Sequence, residues 1–277
     1  MSTTVKFTKM HGLGNDFIVL DNRNDTLHLT PRIIQRLSNR HRGIGFDQCL
    51  LVESPKHPDS DFYYRIFNAD GTEVSQCGNG ARCLALFIKN NQLSQKLAYT
   101  VTTSSSTLQL KPLPNGEIWV AFDEPQFSPS QIPLIFKEQA DYYPFSVGKK
   151  IYYLHCVNVG NLHGVLFLEE LSNEIINHLG LALSQHPKFI QGANISFAKM
   201  HSKKHIELRV FERGAGETKA CGSGAIATAA CARLFHQAEK EMIISLPGGE
   251  LSIDWQGLGH KINFTGPAVS VFEGVFT

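Results

Sequence analysis

Short, mostly apolar runs separated by polar and turn-forming residues recur along the chain and predict a β-rich fold. In the first half, Lys6–Met10, Phe17–Asp21, Cys49–Glu53, Phe62–Phe67 and Glu117–Phe122 read as strands. In the second half, Tyr152–Val157, Val165–Glu169, Ile195–Met200, His205–Phe211, Met242–Leu246 and Glu250–Trp255 do the same. Thr30-Pro31 ahead of Arg32-Ile33-Ile34 supplies the N-cap and first position of a surface helix. Two other segments, Ala81–Ile88 and Ala225–Ala232, are apolar nearly all round. A helix without a polar face is buried, and with strands on either side each is expected inside its own curved sheet. Asp123-Glu124-Pro125 and the Pro-rich run to Pro133 mark a boundary between the halves.

The halves share a repeat. Arg65-Ile66-Phe67 is followed by Cys77-Gly78-Asn79-Gly80-Ala81, and Arg209-Val210-Phe211 by Cys221-Gly222-Ser223-Gly224-Ala225. Glu73 and Glu217 each stand four residues before their cysteine, and the offset is 144 throughout. A looser pair, Gly45-Phe46-Asp47-Gln48 and Gly192-Ala193-Asn194, recurs at about 146. Duplicated domains are the natural reading. An α+β fold is expected, of two pseudo-symmetric domains, each a β-barrel wrapped around a central buried helix.

Composition narrows the function classes. The 277 residues are 42% hydrophobic and 18% charged, with 26 Lys and Arg against 25 Asp and Glu. That balance carries a net charge of +1 and gives no basic face, so no nucleic-acid partner is expected. The longest apolar run, Cys83–Ile88, is six residues, far below the roughly 20 of a membrane span, and no membrane partner is expected. No signal peptide is read at the N-terminus, so a cytoplasmic location is expected. Six irregularly spaced cysteines give neither a disulfide framework nor a zinc motif, and no metal is expected. No nucleotide-binding motif competes, so no cofactor is expected.

Each Cys-Gly-x-Gly opens a buried helix. First-turn amides and the helix dipole attract anions and shift a thiol toward thiolate. One helix end contributes at most about 2 kcal/mol, which brings a cysteine from about 8.5 to near neutrality, the range of a general base. Two halves facing one cleft would present two such cysteines. Inverting a carbon beside a carboxylate needs two acid/base groups on opposite faces and donors for the charge flowing into the carboxylate.

The chain resembles the diaminopimelate epimerase family. The resemblance is carried by Met10-His11-Gly12-Leu13-Gly14-Asn15-Asp16-Phe17, Gly43-Ile44-Gly45-Phe46-Asp47-Gln48, Arg65-Ile66-Phe67-Asn68-Ala69-Asp70-Gly71 and Gln76-Cys77-Gly78-Asn79-Gly80-Ala81-Arg82-Cys83. Arg209–Thr218, Ala220–Gly224 and Leu246–Gly249 complete it, over nearly the full length. It implies a cofactor-independent epimerase interconverting LL- and meso-diaminopimelate, in lysine and peptidoglycan precursor synthesis. It also implies domains over 1–122, completed by about 265–277, and over 123–264. Cys77 and Cys221 would be the acid/base pair. The backbone amides of Gly78, Asn79, Gly222 and Ser223 would hold the reacting carboxylate. Asn15, Gln48, Asn68, Asn161, Asn194, Glu212 and Arg213 fall on substrate-binding positions, Arg213 on the distal carboxylate and Glu212 on the distal ammonium. His163 and Glu212 would tune the cysteines. The family resemblance further implies a homodimer.

Cys83 and Cys231 read as packing, and Asp47 and Asp70 as turn or cap residues. Three departures stand out. Leu162 replaces a usual proline and is expected to relax the loop carrying Asn161; Thr102–Thr107 is a Thr/Ser run where relatives often have glycine; Phe272 replaces a tyrosine at the dimer contact. Two alternatives stay open: a sister racemase with the same cysteine pair, and a non-catalytic amino-acid-binding module with redox-sensitive thiols.

Overall fold

The computed structural model describes residues 4–74 and 77–277; Gln76 of the motif lies outside them. Two compact units form: one runs to Ala121 and takes back Thr265–Thr277, and the other is Phe122–Phe264.

The first unit contains β1 (Val5–Gly12), β2 (Asn15–Asp21), α1 (Pro31–Ser38), β3 (Gln48–Glu53), β4 (Phe62–Asn68), β5 (Glu73–Val74), α2 (Gly78–Asn90), β6 (Tyr99–Thr102), β7 (Thr107–Pro112) and β8 (Ile118–Phe122). The second contains β9 (Tyr143–Val147), β10 (Lys150–Asn158), β11 (Leu162–Phe167), α3 (Asn173–Ser184), β12 (Asn194–Ser202), β13 (His205–Glu212), β14 (Gly216–Thr218), α4 (Gly222–Phe235), β15 (Glu241–Leu246), β16 (Gly249–Asp254) and β17 (Ile262–Gly266). The last strand, β18 (Val269–Phe276), returns to the first unit and pairs antiparallel with β1.

The two units repeat one ladder. In the first, β18–β1–β2 is antiparallel, β2–β3 parallel, β3–β4 antiparallel, β4–β6 parallel and β6–β7 antiparallel. In the second, β9–β10–β11, β11–β12, β12–β13, β13–β15 and β15–β16 follow the same sequence of directions. The register repeats too. Phe67 faces Glu73 as Phe211 faces Glu217, and Phe17 faces Gln48 as His163 faces Asn194. The Arg65–Glu73 fork recurs as Arg209–Glu217, with Nε–O distances of 2.9 and 2.6 Å.

The strands curl around α2 in one unit and α4 in the other. Each helix packs on strands from several parts of its own sheet. Ten residues of α2 and ten of α4 are buried. Gly80 and Gly224 are required by this enclosure. A Cβ at Gly80 would meet Leu50 Cδ2 at 3.1 Å, and one at Gly224 would meet Val210 Cγ2 at 2.8 Å. The space beside each second glycine is therefore filled by the sheet.

Three sequence expectations are corrected. Ala81–Ile88 contains a fully buried cation, Arg82, so α2 is not apolar all round. Helix α3, capped by Ser172, was not foreseen; it buries Ile176, Leu179 and Leu183 against the outer face of its sheet. Strand β11 begins at Leu162, three residues earlier than expected, because Leu162 pairs with Asn158 and is buried in the core. Leu162 thus belongs to the sheet, and the Asn161 loop is a tight turn with Gly160 at φ +98°. The Thr/Ser run is the β6–β7 hairpin, where Thr103 Oγ1 accepts from the amides of Ser105 and Ser106.

Candidate active site

Cys77 and Cys221 are the N-caps of α2 and α4. Their φ/ψ are −152°/111° and −127°/107°, extended as an N-cap requires. Each sulfur accepts the amide of the residue three on, Gly80 or Gly224, at 3.4 Å. Helix geometry offers no intrahelical acceptor to the first amides, those of Gly78 and Asn79 and of Gly222 and Ser223. A thiolate and a carboxylate are both favoured at such an end. The other four thiols cap no helix. Cys49, Cys83, Cys156 and Cys231 are fully buried, and burial pushes each up, Cys83 to about 12. They are packing groups.

Beside Cys77 the first unit places Asn15 and Asn79, and on β3 and β4 it pairs Gln48 with Asn68. Asn15, at the start of β2, presents Oδ1 3.9 Å from Cys77 Sγ. The same oxygen accepts from Asn79 Nδ2 at 3.2 Å, and Asn15 Nδ2 donates to Asp47 Oδ2 at 3.1 Å. Gln48 Nε2 donates to Asn68 Oδ1 at 2.9 Å across the β3–β4 register, and Asn68 Nδ2 donates to Thr72. Gln48 Oε1 is buried without a protein partner among the described residues.

Asp47 is more than a turn residue. Its Oδ1 accepts from Arg40 at 2.8 Å and its Oδ2 from the Asp16 amide at 3.1 Å. Arg40 also forks onto Asp16, at 2.8 and 2.7 Å. Buried Lys9 donates to Asp16 at 2.5 Å and to the Gly45 carbonyl. Burial alone would raise the Asp16 carboxyl, but the bonds from Arg40 and Lys9 outweigh it and hold it well below the usual carboxylate range. Asp70 behaves as expected, capping its turn by accepting from Thr72.

Arg82 escaped the sequence reading as a site residue. Its Nε donates to the Pro267 carbonyl at 3.0 Å and its Nη2 to Asn79 Oδ1 at 2.9 Å. Burial lowers its guanidinium to about 10, which leaves it a cation at neutral pH. The available signal was a charge three residues after Asn79 in the otherwise apolar run Ala81–Ile88.

In the second unit Cys221 Sγ lies 3.4 Å from Ser223 Oγ. His163 is fully buried, and burial drops its imidazole to about 3, so it is neutral at pH 7. Its Nε2 is 3.0 Å from Ser223 Oγ and 3.2 Å from Asn161 Oδ1, and Asn161 Nδ2 donates to Ser223 Oγ at 3.2 Å. A proton on Nε2 satisfies the Asn161 oxygen and fits these short contacts. Ser223 then accepts twice, and its own O–H is left for Cys221. His163 therefore reaches Cys221 through Ser223 as a neutral donor.

Asn194 Oδ1 accepts the Arg213 amide at 2.9 Å, and its Nδ2 lies 3.5 Å from His163 Nε2. Arg213 Nη1 donates to the Gln191 carbonyl at 2.5 Å. Glu212 Oε1 accepts from Thr218 Oγ1 at 2.5 Å. Of the expected residues, Asn15 and Asn79 thus connect to Cys77, and Asn161, His163 and Ser223 connect to Cys221, while Gln48 and Asn68 form a pair of their own.

Comparison with known proteins identifies the family. The sequence profile described as diaminopimelate epimerase matches residues 7–127 and 155–271. A diaminopimelate epimerase of Legionella pneumophila (strain Paris) is 47% identical over 271 residues, covering 98% of each chain. One from Pseudomonas savastanoi pv. phaseolicola is 46% identical over 270 residues, again 98% of each. Among solved structures, a hydroxyproline epimerase from Agrobacterium vitis superposes with a TM-score of 0.74 at 10% identity, covering 99% of this chain and 92% of that one. A Bacillus anthracis phenazine biosynthesis protein of the PhzF family gives 0.69 at 18% identity, covering 99% of each. At these identities the two structures speak to fold alone.

Proposed function

Since this chain belongs to the diaminopimelate epimerase family, we infer that it is an isomerase interconverting LL- and meso-diaminopimelate in lysine biosynthesis. The reaction inverts one α-carbon. One thiolate takes the α-proton, electrons flow into the adjacent carboxylate, and a thiol returns a proton to the opposite face. The two sulfurs then exchange protonation states, and the reverse reaction uses them in the opposite order.

The observation that carries the assignment of Cys77 and Cys221 is their repeated position. Each caps a buried helix that opens Gly-x-Gly, and none of the other four thiols caps a helix. In this reading the amides of Gly78, Asn79, Gly222 and Ser223 hold the reacting carboxylate as charge builds on it. Asn15, Gln48, Asn68, Asn161 and Asn194 bind the rest of the substrate. Arg213 forks onto the distal carboxylate and Glu212 meets the distal ammonium. His163 acts on Cys221 through Ser223. No cofactor or metal is part of the proposal, since the carboxylate and two thiols supply the proton chemistry.

The working form is proposed to be a cytoplasmic homodimer. The dimer reading is supported by β18, which exposes Val269, Val271, Phe272 and Val275. No helix among the described residues is long and apolar enough to cross a membrane. The test of function is incubation of LL-diaminopimelate with the purified chain in deuterated water. Deuterium at one α-carbon and appearance of the meso isomer are expected; binding without exchange would favour the amino-acid-binding alternative.

A further inference from the structure

Asn15 and Asn79 each carry an amide that could be turned either way, and the orientation decides whether Cys77 faces an oxygen or an N–H group. Both ends of the chain of contacts are chemically one-sided. Arg82 is a guanidinium and can only donate; Asp47 is a carboxylate and can only accept. Arg82 Nη2 donates to Asn79 Oδ1 at 2.9 Å, which leaves Asn79 Nδ2 to donate to Asn15 Oδ1 at 3.2 Å. Asn15 Nδ2 then donates to Asp47 Oδ2 at 3.1 Å. Every link runs in one direction, from the buried cation to the carboxylate. Rotating either amide would set donor against donor or acceptor against acceptor.

We propose that Arg82 and Asp47 are positioning residues that lock the Asn79 and Asn15 amides in one orientation, so that Cys77 faces the Asn15 carbonyl oxygen. This goes beyond the functional reading and rests on it only in making Cys77 an acid/base group. The consequence is electrostatic. The Gly80 amide, 3.4 Å from Sγ, favours the thiolate. The Asn15 oxygen, 3.9 Å away, accepts from the thiol and opposes it. The relay therefore keeps Cys77 from being drawn fully to thiolate by its helix end. It also explains a buried arginine in α2 and an acidic residue fixed at the mouth of β3. Arg40 and the Asp16 amide hold Asp47 in place from its other sides.

The test separates the relay from a plain charge effect and from loosening of the turn. Asp47→Ala removes both the charge and the acceptor. Asp47→Asn removes the charge but keeps an oxygen that can accept from Asn15. Arg40→Ala loosens the clamp and leaves the Asn15–Asp47 bond. The readout is the pH dependence of iodoacetamide alkylation at Cys77, quantified on its own peptide by mass spectrometry in the full-length protein. Among the described residues, Tyr64, Cys83 and Arg82 are titratable groups that interact electrostatically with Cys77. Burial holds Tyr64 and Cys83 protonated, and Arg82, though lowered, stays charged, so none changes state near neutrality.

With the relay, Asp47→Ala moves the Cys77 midpoint to lower pH and cuts kcat/KM about tenfold. Asp47→Asn stays within about threefold of wild type with its midpoint near the wild-type one, and Arg40→Ala lowers Tm without moving the midpoint. An unmoved midpoint in Asp47→Ala would overturn the proposal. So would an equal shift in Asp47→Asn, which would mean charge alone, or in Arg40→Ala, which would mean loss of the turn. The alkylation arm needs no substrate, so it decides the relay even if the epimerase reading fails.

Discussion

His163 Nε2 lies 3.0 Å from the Ser223 hydroxyl, which lies 3.4 Å from Cys221 Sγ. The histidine is neutral, so what it passes to the cysteine is hydrogen-bond direction rather than positive charge. Ser223→Ala removes the last donor in that chain. The Cys221 alkylation midpoint should move to higher pH, and kcat/KM should fall about tenfold, the worth of one hydrogen bond to a charged group. Peptide-resolved alkylation across pH checks the shift; a midpoint unchanged from wild type would remove Ser223 from the control of Cys221.

Acid should destabilise the protein through its neutral histidines. Burial lowers His163 to about 3, and His155 and His236 also fall below the ordinary 6.5. Unfolding lets them take up protons, so their contribution is complete above about pH 6.5 and is lost as pH falls toward 3. Carboxylates such as Asp16 add to the loss only lower in that range. Between pH 6.5 and 4.5, Tm should therefore drop in wild type and drop less in His163→Gln. Equal slopes in the two proteins would show that His163 is not held neutral.

Enclosure of the cysteine-bearing helices can be tested by stability alone. Gly224→Ala drives a Cβ to 2.8 Å from Val210 Cγ2, and overpacking of this kind costs about 1–3 kcal/mol. Thermal unfolding should show a clear fall in Tm. Cys83→Ala, which opens a small cavity, should also lower Tm while leaving turnover close to wild type. Lost turnover in folded Cys83→Ala would contradict its assignment to packing.

Much of this arrangement was legible in the sequence, for reasons that differ by element. Helices α2 and α4 were visible because burial leaves few polar residues in Ala81–Ile88 and Ala225–Ala232, and the 144-residue repeat tied each to a cysteine. The β2 to β4 core was visible because strands buried on both faces read as short, nearly continuous apolar runs. Strands β6 and β7 were obscured by the Thr/Ser hairpin between them, and β5 and β14 are too short to show a period. Helix α3 buries only three large apolar residues, Ile176, Leu179 and Leu183, over twelve residues and has exposed Leu181 among them. Lys9, Asp16, Arg40 and Asp47 are separated by up to 38 residues, and only β1, β2 and the turn before β3 bring their charges together. Sequence spacing carries no trace of such a network, so Asp47 read as a turn residue.

Substrate specificity should depend on the Arg213 fork. Arg213→Lys keeps the charge but loses bidentate geometry, and a charged hydrogen bond is worth about 1.5–3 kcal/mol. A drop of about 10- to 150-fold in kcat/KM for LL-diaminopimelate is expected. A variant within twofold of wild type would mean that Arg213 does not hold the distal carboxylate.

The central claim is that Cys77 and Cys221 are the two proton carriers of one inversion. It is tested most directly by following LL-diaminopimelate in deuterated water with wild type, Cys77→Ala and Cys221→Ala, scoring meso product and α-deuterium together. The account predicts meso product carrying one α-deuterium from wild type and no epimerisation from either alanine variant, each confirmed folded by its Tm. Meso product formed at the wild-type rate by either variant would remove that cysteine from the mechanism and contradict the account.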